Sequence, residues 1–210
     1  MIQPANRSVL RAQFRAARKS LSEQSRADFE QTICDHLWSF APVANASTVA
    51  IYLATDGEPD LDGWVQAAWR AGKSLALPSI DSSVATNAVT NDANAPKASM
   101  QFRAYTATTA LTPNRFNIMQ PPAAAPAVSQ LDCVLMPLVA YDASGVRLGM
   151  GGGYYDRYFH DLRDLSDPHK QTPTLVGVAF SCQKSVSPLP KEDWDVPMDA
   201  IVTQLGIEAF

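Results

Sequence analysis

Apolar positions near the start of the chain recur every three to four residues. In "RSVLRAQFRAARKSL", Leu10, Phe14, Ala17 and Leu21 form one stripe, which predicts a helix. "SEQSRADFEQTICDHLWSF" repeats the spacing with Phe29, Ile33, Leu37 and Phe40, and Ser22 stands where a helix N-cap is needed. The pattern then changes to continuous apolar, β-branched runs. "STVAIYL" and "KSLALPSI" read as buried strands, separated by a helix, "DLDGWVQAAWRAG", that Gly72 stops. Residues 81–97 are small, polar and aperiodic, which predicts a loop. "MQFRAY" resumes strand character, "QPPAAAPAVS" is a proline-alanine connector, and "LDCVLMPLVAY" is the most strand-like run of all. A helix through about Leu165 and two short strands, "TPTLVGVAF" and "DAIVTQL", complete the series. Strands that are apolar throughout and alternate with helices predict an α/β fold. Its mostly parallel central sheet is flanked by helices in a Rossmann-like three-layer sandwich. Without an internal repeat or a clear linker, residues 1–210 are expected to form one domain.

Composition narrows the classes. The chain is 46 % hydrophobic and 18 % charged with net charge −4, which suits a globular core and rules against disorder. A mildly acidic chain has no field to draw it onto nucleic acid or an anionic membrane, so neither is an expected partner. No apolar run approaches the roughly 20 residues that span a bilayer. Cys34, Cys133 and Cys182 are odd in number and widely spaced, which fits buried thiols in a reducing cytoplasm. His36, His160 and His169 show no paired spacing, giving a zinc site or a Ser-His-Asp triad little support.

The chemistry concentrates in "RLGMGGGYYDRYF". Gly149, Gly151, Gly152 and Gly153 fall within five positions, between a strand and a helix. In open α/β sheets that edge, at the carboxyl ends of the strands, is where ligands bind. Backbone N–H groups of such a loop converge on an anion, and a Cβ would hold a phosphate away. It is neither a Walker A loop nor a clean dinucleotide fingerprint, and a connector that only turns tightly has the same composition. Arg147 and Asp156 favour the phosphate reading: one can counter phosphate charge, the other hold a magnesium ion. Arg7, Arg11, Arg15 and Arg18 share one arc of the first helix, as a solvated basic face, a targeting segment or a phosphate clamp. In "YLATDGEPD", Asp60 fits a helix N-terminal charge, whereas Glu58 suits donor groups of a ligand.

Taken together, the basic "RSVLR" helix, "YLATDGEPDL", "LPSI", "LTPNRFNIMQP", "VLMPLVAYDASGVRLGMGGGYYDRYF", "GVAFSCQ" and "LPKEDWDVPMDAIVT" resemble the 5-formyltetrahydrofolate cyclo-ligase family, in the family's order from about residue 7 to 204. The resemblance implies ATP-dependent, Mg²⁺-requiring closure of 5-formyltetrahydrofolate to 5,10-methenyltetrahydrofolate, with ADP and phosphate released. It assigns ATP contacts to Arg7 and Arg11 and to the loop Arg147, Leu148, Gly149, Met150, Gly151, Gly152, Gly153, Tyr154 and Tyr155. Arg147 is then the group expected to steady charge on the transferring phosphoryl. Folate contacts fall on Leu53, Glu58, Met150, Gly151, Gly152, Gly153 and Tyr154, and the metal on Asp156 and Asp195. A cytoplasmic monomer acting on a small molecule is expected. Arg7, Met150, Gly152 and Trp194 depart from the residues common at those positions. A sugar-phosphate or CoA-handling enzyme, or a non-catalytic binding paralogue, would share the loop but release no ADP.

Overall fold

Two N-terminal stripes become two helices. The computed structural model describes residues 6–80, 99–160 and 172–210; the loop expected at 81–97 and the helix end expected near Leu165 lie outside them. α1 (Arg7–Lys19) starts at Asn6, whose side chain accepts the Ser8 N–H at 2.9 Å. α2 (Glu23–Ser39) starts at Ser22, whose hydroxyl accepts the Ser25 N–H. One turn, α3 (Ala41–Ala44), leads into β1 (Thr48–Ala50). α4 (Asp62–Arg70) then carries the chain to β2 (Ser74–Ile80), and Gly72, at φ +78°, supplies the left-handed turn that ends the helix.

β3 (Met100–Tyr105) runs antiparallel to β2, and β4 (Thr112–Pro113) and β5 (Met119–Gln120) form a small separate hairpin. The long strand expected over 131–141 divides. β6 (Cys133–Pro137) joins the main sheet, whereas β7 (Ala140–Tyr141) pairs with β8 (Arg147–Leu148) in its own hairpin. Asp142 makes that division: its carboxylate accepts the N–H groups of Ser144, Val146 and Leu189, closing the turn. α5 (Tyr154–His160) begins directly after the glycines, and β9 (Thr174–Val178), β10 (Ala200–Thr203) and β11 (Gly206–Ala209) complete the fold.

Seven strands make the main sheet, in the order β11-β10-β9-β6-β1-β2-β3, parallel from β10 to β2 with one antiparallel strand at each edge. Strand side chains alternate between two packed faces. Val49, Ile51, Leu75, Leu77, Leu135 and Val176 meet Ile33 and Leu37 of α2 and Trp64 of α4. Ala50, Ala76, Val134, Met136 and Ile201 face Phe159 of α5. Fully buried side chains such as Leu37 and Phe159 each contribute about 1.5–3 kcal/mol. Among the described residues no helix is long and apolar enough to cross a membrane.

The strand order fixes where a ligand can sit. From β1 the chain moves outward to β2, while β6, lying on the other side of β1, leads outward to β9. The loops leaving β1 and β6 therefore part in opposite directions and open a crevice between them, the switch point of a doubly wound sheet. Residues 51–60 follow β1, and the glycine segment follows β6 through the β7–β8 hairpin.

Candidate functional site

The β7–β8 hairpin aims Arg147 into that crevice. Its guanidinium donates to Asp156 Oδ1 at 2.6 Å and lies 5.8 Å from the Tyr155 ring centre, and only 5 % of the side chain is exposed. The loop that follows depends on glycine. Gly151 has φ +100°, and a Cβ there would meet the Arg11 guanidinium. A Cβ on Gly152 would lie 2.8 Å from the Tyr154 ring, so a larger residue there requires Tyr154 to move. Met150, just before Gly151, is exposed.

α1 closes the crevice from the other side. Arg11 donates through Nε to Gly149 O at 2.8 Å, and burial together with neighbouring Arg7 lowers its pKa. Arg7 donates to Asp195 Oδ2 at 2.5 Å and to Pro190 O at 3.0 Å. Asp195 also accepts the Glu192 N–H, and the next residue, Val196, donates its N–H to Asp156 Oδ1 at 3.2 Å. The two aspartates, 39 positions apart in the chain, thus belong to one polar cluster. Only three buried side-chain nitrogens or oxygens among the described residues lack a partner, and two are the Nε atoms of Arg7 and Arg147. A buried donor left unmet costs free energy, and these two Nε atoms each lack an acceptor.

Glu58 sits across the crevice on the turn after β1, nearly buried, its Oε2 accepting the Thr55 N–H at 3.0 Å. Burial pushes its carboxyl up, against the opposing pull of Thr55 and Arg18. Its charge reaches the phenol of Tyr155, which burial raises above the usual tyrosine range. Tyr155, the residue after Tyr154 at the start of α5, thus lies within electrostatic reach of Glu58. Leu53 packs, half-buried, against the α2–α4 core.

Of the two C-terminal arginines of the basic arc, Arg18 is not part of a solvated face and Arg15 is only partly exposed. Arg18 is fully buried, and Arg15 forks onto Asp56 with contacts of 2.6 and 2.9 Å. Asp60 does serve the start of α4, accepting the Asp62 N–H, and His36 Nδ1 is tied to Thr203 O at 2.8 Å as a structural residue. Arg115 and Phe116 carry no role that their sequence pattern predicts. The β4–β5 hairpin brings both to the loop: Arg115 donates to the Tyr154 hydroxyl at 2.5 Å, and the Phe116 ring meets Tyr154 edge-on. Asn114 and Asn117, the latter at φ +58°, were the available turn signal.

A doubly wound α/β protein whose switch-point crevice gathers arginines, carboxylates and a glycine loop is the class these features define. The model of the 5-formyltetrahydrofolate cyclo-ligase family matches residues 3–204, and the chain belongs to that family. It is 35 % identical over 193 residues to 5-formyltetrahydrofolate cyclo-ligase of Escherichia coli (strain K12), covering 90 % of this chain and 96 % of the relative. The Haemophilus influenzae 5-formyltetrahydrofolate cyclo-ligase is 31 % identical over 195 residues, 91 % of this chain and 94 % of the relative. Among solved structures, the NMR structure of Aquifex aeolicus 5,10-methenyltetrahydrofolate synthetase superimposes with a TM-score of 0.73 at 28 % identity, covering 97 % of this chain and 92 % of that one.

Proposed function

We propose that this chain, a single-domain cytoplasmic monomer, closes 5-formyltetrahydrofolate to 5,10-methenyltetrahydrofolate with cleavage of ATP to ADP and phosphate. The supporting observation is the pair of guanidinium groups, Arg7 and Arg147, each with a buried, unmet Nε and each already beside a carboxylate. A polyphosphate supplies the missing acceptors. Arg7, Arg11 and the loop 147–155 bind ATP. Leu53, Glu58 and residues 150–154 bind the folate, Glu58 accepting hydrogen bonds from pterin N–H groups.

The formyl group on N5 is an amide, whose oxygen leaves poorly as hydroxide. Transfer of the γ-phosphoryl of ATP to that oxygen releases ADP and turns the oxygen into a phosphate leaving group. N10 then bonds to the activated carbon and gives up its proton to the departing phosphate or water, the carbon–oxygen bond breaks, and phosphate leaves as the ring closes. No protein nucleophile is required, so the residues act by positioning and charge. Arg147 steadies charge on the transferring phosphoryl, and the glycine backbone holds its oxygens. Tyr154 and Tyr155 wall the pocket and exclude water.

Asp156 and Asp195 suit magnesium. Among the described residues no three or more His, Cys, Asp or Glu side chains form a metal cage. Magnesium needs only one or two carboxylates, with phosphate and water completing its octahedron, and this oxygen pair meets that need. When bound, the ion offsets phosphate charge at the Asp156–Asp195 end of the site. The deciding experiment measures ADP release with and without 5-formyltetrahydrofolate, alongside formation of the methenyl product. ATP cleavage that ignores the folate, or no cleavage at all, would reject the proposal.

A further inference from the structure

α1 carries the Arg18 guanidinium to the point where the loops leaving β1 and β6 separate. Nη1 donates to Leu138 O at 3.0 Å, just beyond β6. Nε and Nη2 donate to Asp56 O at 3.0 Å and Asp56 Oδ2 at 2.9 Å, just beyond β1, and Nη2 lies 3.8 Å from Glu58 Oε1. The side chain has no exposed surface. Every nitrogen of the guanidinium faces a protein acceptor, so Arg18 is not a ligand contact. The turn it grips is unusual: Asp56 stands at φ +52° and Gly57 at φ +82°. An L side chain keeps that backbone region only where its surroundings hold it there.

We propose that Arg18 is a positioning residue for the folate pocket, fixing the Asp56–Gly57 turn and keeping the Glu58 carboxylate charged and presented to the substrate. The proposal rests on the reading of Glu58 as a folate contact. Glu58 is nearly buried, and burial favours its neutral form. The groups around it divide unevenly. From α1, Arg15 and Lys19 are engaged by Asp56, which leaves Arg18 as the cation beside Glu58. From α2, Arg26 donates to Gly57 O and Arg18 O, and Glu30 accepts the Asp60 N–H. Asp56 on its own turn opposes the Glu58 charge, and the Tyr52 and Tyr155 phenols feel that charge. Loss of Arg18 therefore drives the Glu58 carboxyl further up. The folate-binding carboxylate is then lost at a higher pH as the solution is acidified.

The Thr55 amide reports this directly, because its N–H donates to Glu58 Oε2. Its NMR shift can be titrated in the wild-type chain, in Arg18→Met and in Arg18→Lys. In Arg18→Met the midpoint should rise by on the order of one pH unit. The folate KM should rise roughly tenfold or more while the ATP KM changes less than about twofold. Arg18→Lys restores the charge without the fork and should recover part of both effects. If Arg18→Met does not fold, the lysine variant is read alone, with a smaller shift in the same direction. In a Glu58→Gln background Arg18→Lys should add little to the folate KM. An unmoved Thr55 midpoint, or losses that multiply fully in the double variant, overturns the proposal. A normal folate KM in Glu58→Gln instead rejects the substrate reading of Glu58, and the Thr55 titration still judges Arg18 by itself.

Discussion

The two halves of α1 carry the same residue type on the same face and do different work. At the N-terminal half, Arg7 and Arg11 reach the glycine loop and the Asp195 turn, and Arg7 keeps an unmet buried nitrogen. At the C-terminal half, Arg15, Arg18 and Lys19 converge on one carboxylate, Asp56, and pull its pKa well below the usual range, the Arg15 hydrogen bond most of all. One half keeps an unmet donor; the other directs its cations to a carboxylate of the fold. Substitutions in the first half should cost activity with little loss of stability; in the second they should cost stability, and Arg18 also reaches the folate KM through Glu58.

The largest effect belongs to the polar cluster that the first half faces. Asp156→Asn should lower turnover roughly a hundredfold or more, because a metal-held phosphoryl is worth several kcal/mol in the transition state. Folate binding, followed by calorimetry, should survive. Near-normal turnover at limiting Mg²⁺ would remove Asp156 from the mechanism. Next comes the second half. Arg18→Met leaves Glu58 without its cation, although Asp56 keeps Arg15 and Lys19. Breaking a buried pair costs about 3–5 kcal/mol, and the retained partners favour the lower end. At about 3 kcal/mol the Tm should fall by roughly 6–12 °C. An unchanged melting curve would erase the contrast between the halves.

Arg11→Ala tests the other side of it. Losing a charge-assisted hydrogen bond costs about 1.5–3 kcal/mol, or roughly a 10- to 150-fold loss in kcat/KM for ATP. The Tm should barely move. A truncation of residues 1 to about 20 that turned over normally would instead support a targeting segment. Arg15→Ala should be milder still. Its side chain is 38 % exposed and Asp56 keeps two other cations, so a loss under about 1 kcal/mol is expected in denaturant unfolding.

This contrast was only half visible beforehand. The period of Leu10, Phe14, Ala17 and Leu21 predicts α1, because a helical stripe is a local property. Burial of Arg18 is not local: it depends on Asp56, 38 positions away, and on Leu138, 120 positions away. The glycine loop was legible, since four glycines in five positions have no use inside a helix or strand. The break in the 131–141 strand was not, because Asp142 completes its turn with the Leu189 N–H. Strands of two residues, such as β4 and β5, are too short to show a period, so the hairpin carrying Arg115 and Phe116 left only its asparagines as a trace.

The smallest expected effect sharpens the comparison most, because it sets two carboxyls of one turn against each other. Asp56 has a folded pKa below its unfolded value, so its contribution to stability is present above about pH 4 and fades as pH falls further. Glu58 is the reverse. Burial raises its folded pKa, so its contribution is full below the unfolded value near 4.3 and is lost as pH rises through the folded one. At neutral pH the charged Glu58 is thus a small net burden on the fold. Glu58→Gln, which mimics the neutral acid in shape, should raise the Tm slightly at pH 7 and lose that advantage near pH 4, while the folate KM climbs. A residue kept for binding at a cost in stability behaves this way. A Tm that falls at pH 7 with the folate KM unchanged would make Glu58 part of the structural half of the site.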